Sequence, residues 1–413
     1  MVRGFLAAVV ASGMLLAQAQ PEIPRLEAEA QRALTAGQAS SALTTYEQLA
    51  KLVPTSAEYQ DEIGFILAAT NRTEEAIPHF QRSIELDPKF AQGYYHLGVA
   101  LWLSKQADPA VRAMQRAVEL APGNGDYRLR LGIAYNETGH SDEAVTELKA
   151  AAKASPTNPE CWRNLGIAYQ EQERFAEARD AYKAALDLDP KNTEIRNSYG
   201  YMLVNTQQAD AGIAEFREVL RQQPDNPMVQ VNIGFAYIEQ GKIEDAIEQL
   251  TKVTKSHPEI ASAFYDLGLA YKQKDDLKSA EANLERAIQL DPQLTEAHYA
   301  LGITYWQAGD FKRTIQQMKA AVEQRSDYPQ AWYMLGTALK QTGDLDSALD
   351  ALNKAIALDG TNPGPYNTVA SILRQKGDTA GAKSAFAKAA EMKQAADKRQ
   401  ADLLRRGPAH DLR

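Results

Sequence analysis

The sequence predicts an all-α fold, an α-solenoid of about eleven helix-turn-helix units, each of roughly 34 residues, closed by a C-terminal capping helix. Three observations predict it. Glycine recurs in one register, at Gly64, Gly98, Gly132, Gly166, Gly200, Gly234, Gly268, Gly302 and Gly336, always at the same interval. Twelve positions beyond each glycine a small residue is the rule, as in Ala76, Ala110, Ala144, Ala178, Ala246, Ala280 and Ala348. Four further on stands a large apolar one, as in Phe80, Met114, Leu148, Tyr182, Phe216, Leu250, Leu284, Met318 and Leu352. A fixed period of this length is the mark of stacked units, none of which can bury its apolar face alone.

The chain opens on an export signal. Arg3 supplies a positive start, Phe5 to Leu16 is apolar apart from Ser12 and Gly13, and Ala17-Gln18-Ala19 offers small residues to a signal peptidase. Cleavage is expected before Gln20, which makes residues 1–19 a leader and the protein periplasmic or secreted. The alternative is an uncleaved segment anchoring it to the inner membrane. No later stretch approaches the roughly 20 apolar residues of a membrane span.

Within each unit, apolar residues at spacings of three and four mark two helices. Trp162 to Tyr169 belongs to a first helix and Ala178 to Ala185 to a second. Gly139, Gly241, Gly309, Gly343 and Gly377 stand where the first helix must stop and turn. Pro54, Pro88, Pro122, Pro156, Pro190, Pro224, Pro258 and Pro292 each close a unit. A mid-helix glycine costs about 1 kcal/mol relative to alanine, so its recurrence requires a backbone pressed against a neighbouring helix. Ser326 and Gly360 replace the closing proline; Pro329 and the run Asn362-Pro363-Gly364-Pro365 predict reshaped turns there. The repeats cover 23–396. Residues 397–413 form the end of a capping helix and a tail, with Lys398, Arg399, Arg405 and Arg406 on a solvated side before Gly407-Pro408.

The pattern aromatic-x-x-Leu-Gly-x-x-Tyr, then Ala-x-x-x-Phe, then Pro, at this period, resembles the tetratricopeptide repeat (TPR) family. Trp162 and Trp332 supply the family's tryptophan. The resemblance implies a right-handed superhelix whose first helices line a concave groove, with ligands met by the second, fifth, ninth, twelfth and thirteenth residues of each unit.

On that assignment, units eight to eleven offer Tyr265, Tyr299 and Tyr333 at the fifth position and Lys272, Trp306, Lys340 and Arg374 at the twelfth. Aromatic rings beside cations suit an acidic, aromatic or proline-rich segment. These seven residues are the candidate ligand-binding groove. The middle of the groove is expected to be acidic, through Asp126, Glu160 and Glu194 at the second position and Glu137, Glu171 and Glu239 at the thirteenth. Phe65, Val99 and Trp102 make an apolar patch near the start. The family's lysine–asparagine clamp for C-terminal carboxylates is absent, because no fifth position carries lysine.

Chemistry is not indicated. None of the six histidines has another four positions away, and there is neither a phosphate loop nor a nucleophile elbow. No catalytic residue, metal or cofactor is expected. His96 and His298 fall at packing positions on first helices. The single Cys161 excludes an intrachain disulfide and reads as a buried apolar side chain. A net charge of −9 argues against nucleic acid. The expected function is a non-enzymatic scaffold or adaptor that binds protein or peptide segments in the bacterial cell envelope. The alternative is a carbohydrate-binding or polysaccharide-export module using the same aromatics.

Overall fold

The computed structural model describes residues 22–406; the expected leader and residues 407–413 lie outside it. The described residues form twenty-two α-helices, from Glu22–Thr35 to Thr379–Arg406, and no strand. Short first and second helices alternate in the register of the repeat: Ala57–Ala69 is followed by Thr73–Leu86, and Ala91–Leu103 by Ala107–Leu120. The chain divides into two compact bodies at Thr206/Gln207, inside the sixth repeat. Each body is an α-solenoid in which every helix packs on the next in sequence. In the second body, the first helices Pro227–Glu239, Ala261–Gln273, Thr295–Gln307, Pro329–Thr342 and Pro363–Gln375 also touch their successors and form one layer.

The repeated glycine now has its reason. A Cβ on Gly132 would lie 2.6 Å from Leu148 Cγ, and one on Gly64 2.7 Å from Phe80 Cε1. The large apolar residue sixteen positions on therefore lies flat against the first helix of its own unit. That residue is the centre of the core: Phe80, Leu148, Phe216, Leu250, Leu284, Met318 and Leu352 are at most 1 % exposed. Phe386, its counterpart in the last described hairpin, is 38 % exposed.

Between the two helices of every unit one residue takes a left-handed conformation. It is glycine at Gly37, Gly139, Gly241, Gly309, Gly343 and Gly377, but Asn71, Lys105, Glu173, Gln207 and Asp275 adopt the same positive φ. At the start of several first helices an asparagine side chain accepts backbone N–H groups, as Asn124 does from Asp126 and Tyr127 and Asn192 from Glu194 and Ile195.

The joint between units rests on a recurrent bond. A side chain on the incoming first helix donates to a carbonyl six positions back: Arg128 to Pro122 (2.8 Å), Trp162 to Pro156 (3.0 Å), Gln230 to Pro224 (3.1 Å) and His298 Nε2 to Pro292 (3.2 Å). Trp332 makes it to Ser326 (2.8 Å) and Tyr366 to Gly360 (3.3 Å). The acceptor is a backbone carbonyl, so losing the proline ring at Ser326 and Gly360 leaves the joint intact.

Helix Thr379–Arg406 runs through the expected cap without interruption, and Lys398 and Arg399 are exposed on it. Cys161 is fully buried, and burial pushes its thiol up to about 11. It is an inert packing group rather than a reactive thiol. No described helix is long and apolar enough to cross a membrane.

Candidate functional site

The seven candidate residues all lie on the first-helix layer of the second body. Their periodic spacing distributes the fifth-position tyrosines and the twelfth-position residues over successive first helices of that layer. The tyrosines are half-buried, and part of each ring serves the stacking of units. Tyr265 packs against the core cluster of Leu284, Ala300, Leu301 and Tyr305. Tyr299 meets Tyr328 at 5.0 Å between centroids, and the Arg325 guanidinium covers Tyr328 at 3.9 Å. Tyr333 Oη sits beside Gly364, where a Cβ would come within 2.9 Å of it. Burial raises the Tyr299 phenol above its ordinary range, so the ring is neutral at any ordinary pH.

The twelfth position is half-buried in three of its four residues as well. Trp306 packs on Phe311 at 5.0 Å. Lys272 and Lys340 are half-buried and Arg374 is exposed. Arg374 extends over the Phe386 ring at 6.0 Å. Lys272, Lys340 and Arg374 have no carboxylate partner among the described residues. Burial lowers the Lys272 ammonium below its usual range, with no anion to oppose the shift. The layer thus presents three uncompensated cations, each on its own repeat, with a tryptophan taking the same position on the fourth.

In the first body the acidic face is partly compensated within itself: Glu160 pairs with Arg163 at 2.7 Å. Glu137 and Glu171 are exposed there, as Glu239 is in the second body. The apolar patch is present. Phe65 is 48 % exposed, and Val99 and Trp102 line a hollow of about 70 Å³ with Leu103 and Ile133.

A polar network beneath that patch escaped the sequence reading. Asp61 is 1 % exposed, and both its oxygens lie 3.0 Å from His96 Nδ1; Gln92 Nε2 donates to Oδ2 at 3.2 Å. The His96 ring lies 5.4 Å from Phe65 and 5.6 Å from Tyr95, and Tyr95 stacks on Tyr127 at 4.5 Å. The signal was present as a juxtaposition: a fifth-position acid in one unit, with glutamine and histidine at the second and sixth positions of the next. His96 packs as expected, but as the partner of a buried carboxylate.

Comparison with known proteins accords with this architecture. Tetratricopeptide repeat models match residues 64–104, 101–166, 232–295, 299–363 and 364–395. The model for the cytochrome c-type biogenesis protein H TPR domain matches residues 146–263. Together they run from 64 to 395, and the chain is a tetratricopeptide-repeat protein. That places it in a class of protein–protein interaction scaffolds. No curated protein matches it. Among solved structures it is similar to a tetratricopeptide repeat protein from Parabacteroides merdae, at 13 % identity over 60 % of this chain and 98 % of that one, with a TM-score of 0.57. MamA is also similar, at 26 % identity over 40 % of this chain and 97 % of its own, with a TM-score of 0.39.

Proposed function

We propose that the protein is an exported, non-enzymatic adaptor of the bacterial envelope, and that it holds an extended acidic segment of a partner protein along the first helices of units eight to eleven. The observation that carries this reading is the row of Lys272, Lys340 and Arg374, each on its own repeat, without carboxylate partners among the described residues. In a chain of net charge −9, cations left unneutralised on a face rimmed by Tyr265, Tyr299, Tyr333 and Trp306 favour an anionic ligand with apolar or aromatic side chains. Export rests on Arg3, the apolar stretch from Phe5 to Leu16 and Ala17-Gln18-Ala19. An assembly role accords with the match of 146–263 to a repeat domain whose description names cytochrome c-type biogenesis.

The test is a pull-down from envelope extract with the chain from Gln20 onward and with its Lys272→Gln/Lys340→Gln/Arg374→Gln variant. Arg374 is exposed, Lys272 and Lys340 are half-buried, and glutamine keeps most of each side chain's length, so helical circular dichroism should be unchanged. A protein captured by the first and lost by the second supports the groove as the adaptor site. Identical capture sets would remove these cations from recognition. Release of the captured partner by a soluble glycan, and not by an acidic peptide, would favour the carbohydrate reading instead.

A further inference from the structure

A second candidate site lies in the first body. It is a pocket of about 590 Å³, bounded by helices Ser141–Ala154, Pro159–Glu171 and Phe175–Leu188. Its floor is apolar, formed by Ala152, Trp162, Leu165 and Tyr169. A volume of several hundred Å³ over such a floor is the ordinary size of a ligand site.

The sequence departs from its pattern here. Ala152 stands one period after Val118 and one period before Leu186, both buried branched side chains. In the middle of the first body an alanine stands where the neighbouring units carry branched side chains, and it lines this pocket. The Trp162 indole cannot close it, because its N–H is held by the Pro156 carbonyl.

The rim is charged asymmetrically. Glu177 and Asp180, on one wall, are already engaged: Glu177 with Arg174 at 2.8 Å and Asp180 with Arg179 at 2.7 Å. Lys149 and Lys153, on the other wall, form no ion pair among the described residues; Lys149 acts on the Glu177 carboxylate only at longer range and reaches over the Tyr169 ring at 5.9 Å, while no carboxylate among them acts on Lys153. Arg174 covers the same ring at 4.4 Å. The local balance is cationic in a chain whose net charge is −9.

We propose that this pocket is a second docking site, formed by Ala152, Trp162, Leu165 and Tyr169 beneath Lys149 and Lys153, which seats an aromatic or leucine side chain from an acidic segment of a partner protein. The apolar anchor fills the pocket beside Ala152, and flanking carboxylates answer the two lysines. The protein then holds two acidic segments on two different surfaces, one on each body.

Fluorescence polarisation tests this with a fluorescein-labelled Asp-Glu-Asp-Trp-Leu-Glu-Asp peptide and its counterpart carrying lysine in place of every acid. The acidic peptide should bind saturably and the basic one should not. Ala152→Leu, which restores the branched residue of the neighbouring units, should weaken binding at least about tenfold by filling the anchor's place. Lys149→Gln/Lys153→Gln, a surface change that cannot disturb packing, should weaken it about three- to tenfold at low salt, with the gap closing as salt screens the charge. Absence of saturable binding, equal binding of the two peptides, or wild-type affinity in the double glutamine variant overturns the proposal. So does a loss that follows the Lys272/Lys340/Arg374 variant and spares the Ala152 and lysine variants, since that assigns the peptide to the groove. Failure of the groove cations to matter leaves this pocket standing.

Discussion

The first body and the second each bury an aspartate on a first helix, and they provide for it in opposite ways. Asp61 is 1 % exposed and receives His96 Nδ1 at 3.0 Å and Gln92 Nε2 at 3.2 Å, both from the next first helix. Asp266 is 8 % exposed and has no hydrogen-bond or ion-pair partner among the described residues. Burial alone pushes its carboxyl up to about 7. In a solenoid, the fate of a buried charge is decided by the residues one period away. Where the next unit supplies donors, the carboxylate is a joint between units. Where it does not, the acid is a load on the fold that varies with pH.

The largest expected effect comes from breaking the satisfied site. Asp61→Ala leaves the His96 and Gln92 donors without their acceptor and opens a gap under Phe65. It should destabilise the first body by about 2–4 kcal/mol, read as a lower urea midpoint with unchanged m-value. A loss below about 1 kcal/mol would mean that water replaces the carboxylate and that the network contributes little.

The next effect comes from relieving the unsatisfied site, and its sign follows from linkage. An acid whose folded pKa of about 7 lies above the ordinary value of 3.8 binds its proton more tightly in the folded protein. Its burden is therefore absent below about pH 4, grows as pH rises toward 7 and is fully present above that. Asp266→Asn should make the protein more stable than wild type by about 2–3 kcal/mol at about pH 8, and the advantage should vanish near pH 4. Thermal unfolding across that pH range checks it. A difference that does not change with pH would show that Asp266 has the same pKa folded and unfolded.

The contrast also shows what was legible in the sequence. The period, the two helices of each unit and the packing of Gly132 on Leu148 all depend on residue size at fixed spacing, so they could be read directly. The turns were legible only where glycine marks them. Lys105 and Glu173 adopt the same positive φ without any local signal, because the repeat on either side imposes it. The joints at Ser326 and Gly360 looked altered from proline alone, yet the carbonyl acceptor that matters is invisible in a one-letter code. Groove positions fared differently again. The twelfth-position cations were identifiable by counting. Whether a fifth-position side chain finds a partner depends on the next unit, as with Asp61 and His96 or Tyr333 and Gly364. The pocket beside Trp162 is lined by Ala152, which stands where Val118 and Leu186 are found, a departure from the pattern whose place in the structure is visible only once the helices are in place.

The same dependence on a neighbour's side chain grades the smallest expected effects, at two glycines in one register of the second body. A Cβ on Gly234 would lie 2.5 Å from both Cγ and Cδ2 of Leu250, a fully buried side chain gripped near its branch point. A Cβ on Gly302 would meet the terminal Cε of Met318 at 2.7 Å. A thioether methyl swings aside at little cost, whereas a leucine branch point cannot move without its backbone. Gly234→Ala should therefore destabilise by about 1–3 kcal/mol through overpacking. In Gly302→Ala the gain in helix propensity of about 1 kcal/mol should offset most of the contact, leaving stability within about 1 kcal/mol of wild type. Urea midpoints of the two variants side by side decide it. Equal losses at both positions would mean that the first helix itself, rather than the opposing side chain, sets the tolerance for a methyl group at this register.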